Sequence, residues 1–355
     1  MNSLVPLPKS RKQQCRLLAH RINVRFGPKA DIRFVIQSLD RREREQDGNS
    51  VSKKILRDIV NCETKPHDAL TALREGAMIT IPELASEALG SHLAAHMGRR
   101  FGSTDAGLIE LVQSAARLAL DCIGNSDALY HNVEHTMLVT LVGYDILKGR
   151  RLLKETNADD YAHVLVACLF HDIGYVRGIL DGDNEDGYVI DAKGNKAELA
   201  RGSSDAALLP YHVDRSKLYV MRRFAKHKLV DAARIANAIE STRFPPSGSD
   251  SGNEEGMLVR AADLIGQLGD PHYLRKANAL YYEFEEVGMN KQLGYDSPAD
   301  LTDQYPKFYW SSISPFIRDA IRYLNVTSSG RQWIANLYSN VLSAERDLSL
   351  YGPQR

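Results

Sequence analysis

Three short stretches of this chain hold residue types that could do chemistry together. Tyr130-His131-Asn132-Val133-Glu134-His135 sets two histidines at i and i+4, one turn apart on a single helix face. Phe170-His171-Asp172-Ile173-Gly174-Tyr175 brings an imidazole and a carboxylate out together at the end of an apolar run. Val259-Arg260-Ala261-Ala262-Asp263-Leu264-Ile265 carries a lone acid inside another apolar run. Each has a plain alternative: a solvated histidine face, a helix end whose acid meets backbone amides, an Arg260–Asp263 ion pair. Together they are harder to dismiss, because an ionised aspartate in a buried helix is unfavourable unless it is paired or bound to a cation. Two neutral imidazoles and two carboxylates make a mixed nitrogen and oxygen shell that suits Zn, Mn, Fe or Co. A carboxylate has two oxygens, so Asp172 can bridge to a second ion held mainly by water, such as Mg or Mn. A hydroxide between two such ions is a ready nucleophile for phosphorus.

Helices must position these groups. Apolar residues at 108, 111, 112, 115, 118, 119 and 122 repeat with the helical period, so a helix is expected over Leu108–Cys122. Gly124-Asn125-Ser126-Asp127 breaks it, and a second helix is expected over Asn132–Lys148, with Asn132 suited to its N-cap. A third, Asp160–Phe170, is apolar nearly all round, which suits a helix buried on most sides. Others are expected near 51–61, 81–98, 214–229, 231–243, 257–268, 271–287, 315–325 and 330–346. Tyr188-Val189-Ile190 before Asp191-Ala192-Lys193-Gly194-Asn195 reads as a small hairpin, and Pro245-Pro246 with the Ser/Gly run after it reads as a loop. The expected fold class is all-α: a domain over 103–355, a helical amino-terminal appendage over 1–102, and a small hairpin insertion.

The pattern His135, His171-Asp172, Asp263 resembles the HD superfamily of metal-dependent phosphohydrolases, and the wording around it is similar to the cyclic-nucleotide phosphodiesterase branch. Tyr-His-Asn-x-x-His at 130–135 resembles that branch's first signature. Ala262-Asp263-Leu264, followed by Leu280-Tyr281-Tyr282-Glu283-Phe284-Glu285-Glu286-Val287-Gly288, resembles its Ala-Asp-Leu … Glu-Glu-Phe … Gly stretch. The likeness spans roughly residues 105–325. It implies an HD-type helical bundle in which His135, His171, Asp172 and Asp263 hold a tight metal. Asp172 also reaches a second ion, and His131 is the general acid that protonates the leaving oxygen. An imidazole, titrating near neutrality, suits that last role. The implied activity is hydrolysis of a phosphate ester, with a cyclic nucleotide the leading substrate. A nucleotide phosphomonoesterase or (d)NTP hydrolase on the same site is the runner-up, and a non-catalytic nucleotide-binding module is the rival from another class.

The sequence departs from the family pattern at three places. Tyr175 stands where His-Asp-x-x-His has its second histidine. His212, in Tyr211-His212-Val213-Asp214-Arg215, lies where HD proteins often place another site histidine, and Arg215 beside it is a candidate for substrate phosphate. Phe308 is a candidate to stack on a base. Tyr305 occupies the place of the branch's clamping glutamine, and Gln304 is one residue early. The acidic insertion at 181–195 is expected either as a rim or lid over the metals or as a solvated loop.

Bulk composition narrows the setting. The chain has 355 residues, 43% hydrophobic and 25% charged, which is ordinary for a globular protein. No run approaches about 18 apolar residues, so no membrane span is expected. The amino end lacks the apolar core of a secretory signal. Cys15, Cys62, Cys122 and Cys168 are far apart and form no Cys-x-x-Cys pair, which fits isolated reduced thiols in a cytoplasmic protein. Net charge is zero, yet residues 1–60 carry fourteen Lys/Arg against six Asp/Glu. Such an arm suits nucleic acid, anionic lipid or a partner protein, but without interleaved aromatics a solvated helix surface is the stronger reading. The expected partner is therefore a small phosphoester, a nucleotide by preference.

Overall fold

Capping side chains mark where half of the described helices begin. The computed structural model describes residues 79–244 and 253–351; the basic arm, the helix expected at 51–61, and the loop beginning Pro245-Pro246 lie outside the described residues. Thr80 and Glu83 form a capping box that opens α1 (Ile81–Phe101). After a short 3-10 turn comes α2 (Ala106–Ile123). Asn132 accepts hydrogen bonds from the Glu134 and His135 amides and so starts α3 (Val133–Leu153). A second capping box, Asn157 with Asp160, starts α4 (Ala158–Phe170).

The expected hairpin is present: β1 (Tyr188–Val189) pairs antiparallel with β2 (Lys196–Ala197), Tyr188 opposite Ala197. Then follow α5 (His212–Arg223), α6 (Ala232–Glu240), α7 (Glu254–Leu268), α8 (Tyr273–Glu286), α9 (Met289–Leu293) and α10 (Pro298–Phe308). A π-helical turn over Tyr309–Ile313 leads into α11 (Ser314–Leu324) and α12 (Ser328–Tyr351). The described residues are thus all-α with one small hairpin. Among them, no helix is long and apolar enough to cross a membrane.

The core sits around α4. Tyr161 through Phe170 are all buried, as an apolar run on every face requires, and α2, α3, α6 and α7 pack against them. Leu89, Leu93 and Met97 of α1 join the same apolar cluster, so the division expected at residue 102 falls between two helices that share one core. A satellite cluster of Tyr130, Ala277, Leu280, Tyr281 and Leu301 joins α8 and α10 to the segment just before α3.

Two expectations need correction. α3 does not end near Lys148; Ile146, Leu147 and Arg150 are buried, and this tertiary packing carries the helix through Gly149 to Leu153. The region 289–308, for which no helix is expected from the sequence, holds α9 and α10. Their polar composition and Pro306 hid the period, although Ser297 and Asp300 form a legible capping box.

Candidate metal centre

The three chemical stretches converge. His135 comes from the first turn of α3, His171 and Asp172 from the end of α4, and Asp263 from the middle of α7. His135 Nε2 lies 3.3 Å from Asp172 Oδ2 and 3.3 Å from Asp263 Oδ1. His171 Nε2 lies 3.1 Å from Asp172 Oδ2, 3.5 Å from Asp263 Oδ1 and 3.4 Å from His135 Nε2. Close helix contact makes this possible. A Cβ added at Gly266, one turn after Asp263, would stand 2.9 Å from the Val139 backbone, one turn after His135. Only glycine lets α7 and α3 approach so nearly.

These donors fit a metal ion. The Cys168 carbonyl accepts a hydrogen bond from His171 Nδ1 at 2.8 Å, which leaves the Nε2 lone pair directed at the centre. Among the described residues, Asp172 Oδ2 and His135 Nδ1 are buried without a hydrogen-bond partner. Lone pairs therefore face lone pairs, an arrangement that a cation relieves. Ligand atoms about 2.0–2.2 Å from a tetrahedral ion lie roughly 3.3–3.5 Å apart, close to the separations above. Burial pushes the His171 imidazole down, but Asp172 and Asp263 outweigh it and hold it well above its ordinary value. Burial likewise raises both aspartates, and the imidazoles more than reverse this, leaving both carboxyls below the usual range. A divalent cation would take the place of the proton those carboxylates attract.

His131 faces elsewhere. Its Nδ1 lies 2.5 Å from Glu283 Oε2, while Glu283 Oε1 accepts from the Tyr130 amide at 2.6 Å and the His131 amide at 3.2 Å. The carboxylate is buried at 1% exposure and held by backbone, so it fixes the position of the Nδ1 edge of the ring. Burial alone would depress His131; Glu283 outweighs it, and the pKa rises to about 9. Lys276, in the first turn of α8, fastens that helix to α3 by meeting Glu134 at 2.8 Å and Asp270 at 2.5 Å. A ligand atom of His131 falls within 4.8 Å of those of His135 and Asp172, so the general-acid candidate borders the metal centre.

Glu283 was legible only as part of a family-like stretch. Its signal was position: Ala277, Leu280 and Glu283 recur at a spacing of three along the buried face of α8, and a carboxylate there needs a partner.

His212 also reaches the site. Its Nε2 stands 3.8 Å from Asp172 Oδ1, and its Nδ1 meets the Leu209 carbonyl at 2.6 Å. The turn after Asp172 is bolted to α5: the Ser216 hydroxyl accepts from the Gly174 amide at 2.9 Å, and Arg215 Nε donates to the Gly174 carbonyl at 2.6 Å. A Cβ at Gly174 would lie 2.0 Å from the His212 carbonyl oxygen, so glycine is required there too.

The remaining candidates do not converge. Arg215 is fully buried; its guanidinium donates to Val176 O at 2.9 Å, Val189 O at 2.5 Å and Asp183 Oδ2 at 2.9 Å. It fastens the hairpin to α5 and has no donor left for a phosphate. Asp183, equally buried, anchors the start of the 181–195 insertion, so this end of the segment is fixed. Gln304 is exposed, while Tyr305 is buried against Tyr273 with ring centroids 4.9 Å apart. A one-residue shift on a helix turns a side chain by about 100°, which puts 305 inward and 304 outward. Phe308 packs edge-on against Phe244 at 5.6 Å and lies against the apolar core. Asp263 meets the histidines, whereas Arg260 donates to the Ser241 carbonyl and lies 5.2 Å over the Phe316 ring.

No curated protein matches the sequence. A family model described as Npun_R2479-like matches residues 80–347, the stretch that contains every ligand, His131 and Glu283. The chain belongs to the Npun_R2479-like family.

Proposed function

We propose that this protein is a metal-dependent phosphohydrolase that cleaves a small phosphate ester. The observation that carries the reading is the convergence of His135, His171, Asp172 and Asp263 beside an imidazole held at its far nitrogen by a buried carboxylate. His135, His171, Asp172 and Asp263 hold the ion, and the free oxygen of Asp172, facing His212, is available to a second one. A divalent cation there supplies Lewis acidity, which acidifies water and offsets charge on phosphoryl oxygens.

The chain's own residues do the rest. Glu283 fixes the Nδ1 edge of His131, favours its protonated form, and leaves Nε2 with a proton for the departing oxygen. The near-sealed pocket of His171 and Asp172 keeps bulk water from screening these charges. The exposed Gln304 supplies no purine clamp, so the proposed substrate class is phosphoesters more widely, with a cyclic nucleotide as one member.

The test pairs elemental analysis of gently purified protein with a panel of cyclic nucleotides, phosphomonoesters and nucleoside triphosphates. Bound Zn, Mn, Fe or Co together with turnover of one class is the expected outcome. Metal without turnover on the whole panel favours a binding module, and absence of metal overturns the reading.

A further inference from the structure

Tyr175 is 1% exposed, yet it belongs to neither apolar cluster. Its ring meets two imidazoles. The His131 ring stacks on it at 4.7 Å and 15°, and the His212 ring stacks on it at 4.6 Å and 17°. Both are parallel contacts at the short end of the range for aromatic pairs. The two histidines come from segments 81 residues apart, and one phenol lies in contact with both.

Each imidazole otherwise has one hydrogen bond, and the His131 ring also meets the Tyr130 and His135 rings edge-on at 5.2 and 5.4 Å. Glu283 holds Nδ1 of His131 at 2.5 Å, and the Leu209 carbonyl holds Nδ1 of His212 at 2.6 Å. One hydrogen bond fixes a nitrogen but leaves the ring free to rock about it. Contact with a flat neighbour removes that freedom, because rocking would lose the stacked area. Tyr175 is itself tied to the metal centre, since its amide donates to the Asp172 carbonyl at 3.1 Å in the turn that follows the ligand pair. Its hydroxyl has no hydrogen-bond partner among the described residues. Asp172, Glu283 and Asp263, with burial, keep the phenol neutral by raising its pKa. A neutral, electron-rich face also suits a cationic neighbour such as protonated His131.

We propose that Tyr175 is a positioning residue: its ring is the plate that sets the planes of His131 and His212, so that both Nε2 edges face a phosphoester bound at Asp172. The kinetic arm of this proposal rests on the hydrolytic reading, whereas the geometric arm does not.

The experiment uses full-length protein labelled at histidine 13Cε1, as purified with its metal, in wild type, Tyr175→Phe and Tyr175→Leu. His131→Asn and His212→Asn assign the two signals. Stacking on a ring shifts imidazole protons upfield, so two upfield imidazoles are expected in wild type and in Tyr175→Phe, and neither in Tyr175→Leu. On the phosphoester that the protein hydrolyses, kcat is expected to stay within about threefold in Tyr175→Phe and to fall roughly 10–100-fold in Tyr175→Leu, with KM and metal content little changed. A wild-type spectrum without the two upfield signals overturns the proposal even where the leucine variant does not fold. Equal loss of kcat in the phenylalanine and leucine variants overturns it as well, because that result assigns the effect to the hydroxyl. If no phosphoester is turned over by any form, the hydrolytic reading fails and the spectra alone decide whether Tyr175 sets the rings.

Discussion

His131 and His135 share a helix-like spacing, yet their Nδ1 atoms have different surroundings. That of His131 meets Glu283, and that of His135 is buried without a partner among the described residues. On the proposed function this difference separates a proton donor from a ligand, and it depends on a carboxylate 152 residues away along the chain. No local pattern around 130–135 contains that information, so in sequence only the family resemblance tells the two histidines apart. The variants should behave accordingly. His131→Asn is expected to lower kcat by about 10²–10⁴ while bound metal persists, the range for loss of a general acid. Asp263→Asn is expected to lose metal and turnover together. Glu283→Gln should lower kcat less than His131→Asn, with KM unchanged, since the ring keeps its proton donor but not the carboxylate that holds Nδ1. Steady-state kinetics with metal analysis on the same preparations checks all three. Metal loss in His131→Asn equal to that in Asp263→Asn would place His131 among the ligands instead.

Between elements, the site depends on fastenings that hydrophobic pattern does not record. Arg215 looked available to a substrate because it sits near a helix start, where charged side chains are commonly solvated. In the fold, the hairpin covers it, and Asp183 with three carbonyls consumes its guanidinium. Burial of an arginine depends on what another segment brings, so its own neighbours in sequence say little. Arg215→Met should therefore destabilise by about 3–5 kcal/mol, the range for stranding one partner of a buried ion pair. Adding Asp183→Leu should restore part of that loss, which paired thermal melts would detect. A surface tie between α5 and α6 gives the pH counterpart. Burial raises the Glu240 pKa, but Arg243 and Lys217 outweigh it and lower the value to about 2, below its ordinary 4.5. Its contribution is thus complete above the ordinary value and fades as pH falls toward 2. Because the carboxylate is partly exposed, solvent screening keeps the contribution below about 1 kcal/mol. The Tm difference between wild type and Glu240→Gln should be constant from pH 8 to about pH 5.5 and should shrink below pH 4.5. A difference that grows on acidification would contradict this assignment.

For the molecule as a whole, the all-α frame was legible because apolar stripes at helical spacing and Asn or Thr caps are local signals. The ligand set was legible because charged groups interrupted apolar runs. The mutual approach of the helices was not, since it rests on contacts such as Gly266 against Val139, which acquire meaning only in pairs. That approach has a thermodynamic consequence. Ligands from α3, the end of α4 and α7 point lone pairs at one another inside the core, so the folded chain without a cation stores repulsion or takes up a proton. The unfolded chain, with its ligands dispersed along more than a hundred residues, has no equivalent site, and a metal that binds only the folded form adds its binding energy to stability. At a free metal concentration 100 times the dissociation constant, the gain is about 2.7 kcal/mol. For domains of 150–250 residues, each 1 kcal/mol moves Tm by roughly 2–4 °C, so chelation should lower the melting temperature by about 5–10 °C. The same chelator should leave Asp263→Asn nearly unmoved, because that variant has already lost the site, and re-adding the native ion should restore wild type alone. Melting temperatures indifferent to chelator in both proteins would mean that the four side chains meet for packing, without holding an ion.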